Sequence, residues 1–163
     1  NPETGKPGWR YLPYVIEPAA GLTRGVLVYL CDAYSEEKGV DAEGKEKTRV
    51  VLKLHPRLAP IKVAVFPLVK KDGLPETARK IMDELKLDFN CQYEEKDSIG
   101  RRYRRQDAIG TPYCITIDHQ TTQDDTVTIR YRDNMEQERI PVKQLRDIVQ
   151  KKVSPKKQLS MLG

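Results

Sequence analysis

Histidine is scarce in this chain. His55 and His119 are the two in 163 residues, so chemistry built on imidazole ligands or a histidine-based triad is poorly supplied. Cysteine occurs three times, at Cys31, Cys91 and Cys114, an odd number with no CxxC spacing. That argues against a disulfide framework or a zinc site and for a reducing, cytosolic setting. No apolar run approaches the ~18 residues of a membrane span, so no membrane partner is expected. No charged-then-apolar leader opens the chain either. It starts on Asn1 rather than methionine, as a processed protein or an excised piece would.

What is present is charge on an ordinary hydrophobic base. Of the residues, 38% are hydrophobic, enough for a core, and 33% are charged. The net charge of +5 and the pI near 9.1 suit contact with a polyanion without requiring one. The length suggests one domain, or one domain plus a fragment.

The opening turn formers NPETGKPG lead through Trp9, Tyr11 and Leu12 to Tyr14-Val15-Ile16, which reads as a short strand. From Thr23 to Tyr34 the apolar positions Val26, Leu27, Leu30 and Ala33 recur at helical spacing and predict a buried helix. Residues 35–49 are charged with two glycines, a hairpin loop or an exposed excursion. Val50-Val51-Leu52 with Leu54 reads as a return strand. Two prolines within the next stretch, Pro56 and Pro60, place a domain boundary here, dividing the chain into 1–57 and 58–163.

The second part opens on Ile61–Val69, a near-continuous apolar run that predicts a central parallel strand. Leu74–Leu87 carries Ala78, Ile81, Met82 and Leu85 at helical spacing, with Pro75 suited to a first turn. Phe89–Tyr93 is a short second strand. His119–Asp125 is a polar turn, Met135–Ile140 a further strand, and Val142–Val153 a last helix burying Leu145, Ile148 and Val149. The tail from Ser154, with Lys156 and Lys157, has little to bury and is expected to fray. The order β-α-β-α-β-β-β-α predicts a compact α/β domain of about 100 residues with right-handed crossovers covering a sheet.

The most informative stretch is DSIGRRYRRQDAIGTPYCITID, Asp97 to Asp118. Ser98 can cap a helix with its hydroxyl, and Gly110 followed by Thr111-Pro112 is a stop signal. At 100° per residue, Ile99 and Tyr103 fall on one side and Arg101, Arg104 and Arg105 on the other. TPYCITID then reads as a strand buried on both faces, with Cys114 a core residue. Thr126–Arg132 alternates strictly. Val127, Ile129 and Tyr131 share one face, and Thr128, Arg130 and Arg132 the other, which predicts one covered and one cationic face. The neighbouring strand adds Arg139. These arginines either meet RNA or pair with Asp133, Glu136 or Glu138, and the arginines of the helix are either phosphate-steering or a solvated face. Tyr103 and Tyr131 fall on apolar faces and are expected in the core.

Earlier in the chain, Glu17 ends the expected strand and Arg24 begins the helix. A carboxylate there can hold an ammonium group, and an arginine at a helix N-terminus suits a phosphate. Ordinary surface pairing is the other reading of the same spacing.

Three longer segments carry a family resemblance. VIEPAAGLTRGVL resembles the third signature motif of class II aminoacyl-tRNA synthetases, with surroundings like those of the glycine-specific members. APIKVAVFPLV, IGRRYRRQDAIGTPYCITID and DDTVTIRYRDNMEQERIPV resemble the anticodon-binding domain at their C-terminus. The resemblance implies an α/β anticodon-binding domain with a mixed, mostly central-parallel five-stranded sheet flanked by helices. A remnant of the class II antiparallel catalytic domain would precede it.

By the same resemblance, Glu17 matches the glutamate that receives the ammonium of glycine, with Pro18, Ala19, Ala20 and Gly21 beside it. Gly21, Leu22, Thr23 and Arg24 match the segment beside ATP, Arg24 being the arginine on the terminal phosphate. Positive charge there stabilises the departing pyrophosphate. Ala19 stands where the family commonly has serine, and Thr23 where many members have aspartate. The first and second signature motifs are not visible, so most of the catalytic sheet is expected upstream of Asn1, and the chain alone is expected not to aminoacylate.

The whole enzyme would be a cytoplasmic homodimer using ATP, with Mg2+, and glycine. No metal is expected in this part. The second domain would grip the anticodon stem-loop of the glycine tRNA through Arg130, Arg132 and Arg139, with Arg101, Arg102, Arg104 and Arg105 alongside. A non-catalytic nucleic-acid-binding accessory protein with a borrowed anticodon domain is the alternative. A small α/β enzyme acting on an acidic metabolite ranks last, because no acid/base residue, nucleophile–base pair, metal spacing or glycine-rich phosphate loop is available to it.

Overall fold

The computed structural model describes residues 2–8, 12–40 and 46–153. Trp9, Tyr11, residues 41–45 of the charged stretch and the tail from Ser154, with Lys156 and Lys157, lie outside the described residues.

The helix expected from Thr23 is α1 (Leu22–Ala33). It turns directly into β1 (Tyr34–Val40), which pairs antiparallel with β2 (Glu46–Leu52). Most of the charged 35–49 stretch is therefore the two arms of a hairpin. Cross-strand pairing explains why: Glu37 lies directly opposite Arg49, an arrangement that stabilises a strand pair. Two expectations fail in this part. Tyr14-Val15-Ile16 is not a strand, because no described strand pairs with it, and Ile16 stands 94% exposed. The helix is present but not buried, since Ala33 alone is covered while Val26, Leu27 and Leu30 face out. Periodic apolar residues are enough to shape a helix, but burial also needs a facing surface.

From residue 63 the elements are β3 (Val63–Pro67), α2 (Leu74–Leu85), β4 (Cys91–Tyr93), α3 (Ile99–Ile109), β5 (Tyr113–Ile117), α4 (Thr121–Asp124), β6 (Thr126–Tyr131), β7 (Gln137–Pro141) and α5 (Val142–Val153). The strands form one mixed sheet in the order β4-β3-β5-β6-β7. β3 is parallel to both β4 and β5, while β6 and β7 are added antiparallel. The expected polar turn at His119–Asp125 contains the single helical turn of α4, in which buried Thr121 donates its hydroxyl to Asp118.

The pleat sorts side chains to two layers. Val63, Val65, Tyr113, Ile115, Ile117, Val127 and Ile129 pack against Leu74, Ala78, Ile81 and Leu85 of α2 and Leu145 and Val149 of α5. On the opposite face Ala64, Phe66 and Cys114 meet Ile99 and Tyr103 of α3. α3 begins at Ser98, which sits at the capping position although its hydroxyl makes no capping bond. It ends at Gly110 with φ +86°, a left-handed turn that suits glycine. A Cβ at Gly110 would come within 2.9 Å of the Leu52 carbonyl oxygen, so this glycine also sets how closely β2 lies on the end of α3.

Candidate nucleic-acid interface

The face of the sheet that carries Thr128, Arg130 and Arg132 is not open. α3 and the β1–β2 hairpin lie over it, and Arg130 and Arg132 are 5% and 2% exposed. The expectation of an exposed cationic sheet face is thereby overturned. Arg130 donates from both terminal nitrogens to Asp107 of α3, at 2.9 and 3.0 Å, and its guanidinium stacks 4.7 Å from the Tyr103 ring centre. Arg49 of β2 donates to the same carboxylate at 2.9 Å, to Glu37 at 2.6 Å and to the Arg132 carbonyl at 2.6 Å. Arg132 donates to the carbonyls of Gly110 and Leu54, each at 2.8 Å, and to Asp133. The partner is Asp133 as one reading anticipated, while Glu136 and Glu138 take no part.

Arg102 is a second correction. It is 3% exposed and donates to the Pro67, Leu68 and Asp97 carbonyls, with Phe66 5.8 Å from its guanidinium. Burying an ionised guanidinium is tolerable only when its donors are matched, and here they are. Arg105 is exposed but bound to Glu94 and to Asp97. Arg139 is half-buried and grips Asp118 with two nitrogens, at 2.5 and 2.9 Å. That contact holds the Asp118 carboxyl below its ordinary range. Of the seven arginines singled out for tRNA, Arg101 and Arg104 remain exposed and outside any ion pair among the described residues.

The tyrosines and Cys114 sit in the core. Tyr103 is hydrogen-bonded to Thr116 at 2.6 Å, and Tyr131 packs edge-on against Tyr113 and donates to Glu138. Burial pushes the Cys114 thiol up to about 12, which makes it inert as a nucleophile at neutral pH.

Asp107 was missed by sequence reasoning, although a signal was there. Ile99, Arg102, Tyr103, Gln106 and Asp107 fall at i, i+3, i+4, i+7 and i+8, a single helical stripe that turns inward as a whole. The polar members are buried with the apolar ones. Gln106, for instance, accepts from the Thr111 hydroxyl at 2.6 Å and donates to Gln92.

Arg104 borders a groove of about 280 Å³ between α3 and the hairpin, together with Lys38, Gly39, Lys47 and Met135. By contrast, Glu17, Pro18, Ala19, Ala20, Gly21, Leu22, Thr23 and Arg24 all lie exposed, and no ion pair joins Glu17 to Arg24. Among the described residues no cluster of three or more His, Cys, Asp or Glu could hold a metal ion, and no helix is long and apolar enough to cross a membrane.

Comparison with known proteins adds to this geometry. A family model described as "Anticodon binding domain" matches residues 62–152. A glycine--tRNA ligase of Treponema denticola is 55% identical over 132 residues, covering 81% of this chain and 29% of that protein. A glycine--tRNA ligase of Borreliella afzelii is 58% identical over 136 residues, covering 83% of this chain and 30% of that protein. The chain thus spans about a third of the length of the curated relatives it matches. Two solved structures from Cryptosporidium parvum share the fold. The RNA binding domain of a threonyl-tRNA synthetase has a TM-score of 0.57 at 24% identity, over 63% of this chain and 26% of that one. A prolyl-tRNA synthetase complexed with L-proline and AMP has a TM-score of 0.54 at 19% identity, over 70% and 31%. With its βαβαβββα element order (the single turn of α4 aside) and a family match over more than half its length, this chain belongs to the anticodon binding domain family, as a relative of the glycine–tRNA ligases.

Proposed function

We propose that the chain is the anticodon-binding end of a glycine–tRNA ligase, an enzyme that activates glycine with ATP and transfers it to its tRNA. The observation that carries this reading is identity of 55–58% to glycine--tRNA ligases over more than four-fifths of the chain. Residues 58–163 are the anticodon-binding domain, and residues 1–57 are the end of the catalytic domain. The β1–β2 hairpin is the part of that end that packs on the anticodon-binding domain. The task of the chain is to hold the anticodon stem-loop of the glycine tRNA. Arg101 and Arg104, exposed on α3, are available to its phosphates.

Glu17, with Pro18 to Gly21 beside it, is the counterpart of the glycine-ammonium site. Gly21 to Arg24 are the counterpart of the segment beside ATP, with Mg2+ serving the whole enzyme. The whole enzyme is a homodimer of the cytoplasm. In this chain the segment from Glu17 to Arg24 is exposed, which supports the reading that the chain by itself has no aminoacylation activity. Two assays test the proposal. The isolated chain incubated with glycine, ATP, Mg2+ and tRNA is expected to give no aminoacyl-tRNA, and turnover above background would refute that part. A labelled glycine-tRNA anticodon stem-loop is expected to bind it more tightly than a stem-loop with a scrambled anticodon. Equal affinity for the two would remove the anticodon assignment.

A further inference from the structure

Resting on the anticodon reading above, we infer that the groove between α3 and the β1–β2 hairpin is where this chain takes a nucleotide of the RNA backbone. Lys47 and Arg104 are its phosphate-binding groups. The groove is about 280 Å³, at the small end of ligand clefts, and so has room for a single nucleotide unit rather than a duplex.

Its construction follows from the strand register. Gly39 lies opposite Lys47, so one arm of the hairpin contributes no side chain at that level and leaves the space beside Lys47 open. Arg104 forms the helical wall, on the flank of α3 next to Asp107. Met135, held at φ +60° in the turn between β6 and β7, contributes an exposed apolar side chain at the rim. A thioether is soft and polarisable enough to pack against a ribose or a base face.

The charges explain why an anion belongs here. Among the described residues the groove has one carboxylate, Glu37, and it is occupied: Arg49 holds it at 2.6 Å and Lys53 at 2.8 Å. The other carboxylate beneath the floor, Asp107, is buried and shared by Arg49 and Arg130. That inner group has three cations to two carboxylates, so it neutralises nothing at the groove surface. Lys47 and Arg104 are exposed and outside any ion pair among the described residues. Two cations, Lys47 and Arg104, lining one concave surface above an already positive floor raise the local potential, as a phosphodiester site requires.

The predicted site differs from the one the sequence suggests. RNA meets the rim of α3 and the hairpin, not the sheet face under them. The hairpin, which lies outside residues 62–152 of the family match, would then contribute directly to RNA binding.

The test measures binding of a labelled glycine-tRNA anticodon stem-loop to the whole chain by fluorescence anisotropy, across a series of salt concentrations. Three proteins are compared: the unaltered chain, Lys47→Ala/Arg104→Ala, and a control with the same loss of charge on the far side of the sheet, Lys80→Ala/Lys143→Ala. All four positions are exposed, and circular dichroism verifies that each variant is folded. The groove variant is expected to lose about tenfold or more in affinity, and the slope of log K against log salt to flatten by roughly 0.7–0.9 for each phosphate contact removed. The control is expected to keep the original slope. Equal losses in the two variants, or no loss in the groove variant, would overturn the groove while leaving the anticodon reading intact. An unaltered chain that binds neither this stem-loop nor its scrambled counterpart would overturn both.

Discussion

Asp107 shows how much one side chain decides in this protein. It is a buried carboxylate on α3, and it receives Arg130 from β6 and Arg49 from β2, so three elements meet on two oxygen atoms. Taking away one member of a buried ion group strands the rest, and that costs more than the group contributes as a whole. Asp107→Ala is therefore expected to destabilise the chain by about 3–5 kcal/mol, read as a shift in the midpoint of urea unfolding. A loss within about 0.5 kcal/mol, the range of ordinary surface substitutions, would show that Arg130 finds water instead. Asp118 makes a different kind of prediction. Hydrogen bonding by Arg139 depresses its folded-state pKa, so the ionised form is favoured by folding. The stability this contributes is fully present above the unfolded aspartate value near 3.8 and is lost as pH falls through the lower folded one. Thermal unfolding of the unaltered chain and of Asp118→Asn should thus differ at pH 7, with the unaltered chain more stable, and the gap should close in the acid range below about pH 4. A gap that stays constant down to pH 2 would assign the stabilisation to packing rather than to charge.

At the scale of elements, legibility followed the source of each element's stability. β3 and β5 are fully buried and read as continuous apolar runs, and their parallel pairing was expected from that pattern. α2, α3 and α5 were legible from spacing and punctuation, with Pro75 and Gly110 marking an entry and an exit. The hairpin was only half legible. Its strands are charged, and what holds them is cross-strand pairing and contact with α3, neither of which leaves a hydrophobic period. α1 was legible as a helix but not as an exposed one, because a periodic stripe records a preference for cover and not its presence. Local stability should follow the same division. Amide exchange measured by mass spectrometry is expected to be fast in α1, where Ala33 is the one covered residue, and slowest in β3 and β5 at the centre of the sheet. Protection in α1 equal to that in β5 would mean that the helix has found a covering surface in solution, such as a second copy of the chain.

For the molecule as a whole, the question is which of its many cations hold it together and which are left to act. The alternation of Thr126–Arg132 correctly separated Val127 and Ile129 from Arg130 and Arg132. It could not say that α3 and the hairpin would cover the arginine face. Period-two patterning assigns residues to a side of the sheet, and only the packing of distant elements decides whether that side is wet. Arg132 joins β6 to the end of α3 at the Gly110 carbonyl and to the segment after β2 at the Leu54 carbonyl. Arg104, on the outer side of the same helix, makes no ion pair among the described residues. The two should therefore separate stability from binding. Arg132→Met keeps the aliphatic stem but leaves two carbonyls without their donor, and is expected to cost about 1–3 kcal/mol for each in chemical denaturation. At low denaturant, where the variant is still folded, its affinity for the anticodon stem-loop should be close to that of the unaltered chain. Arg104→Ala should leave the unfolding midpoint within about 0.5 kcal/mol and weaken RNA binding, most strongly at low salt where a phosphate contact contributes most. The reverse pattern, stability lost with Arg104 and affinity lost with Arg132, would mean that the sheet face opens to receive RNA and that the packing of α3 and the hairpin over it is a closed state.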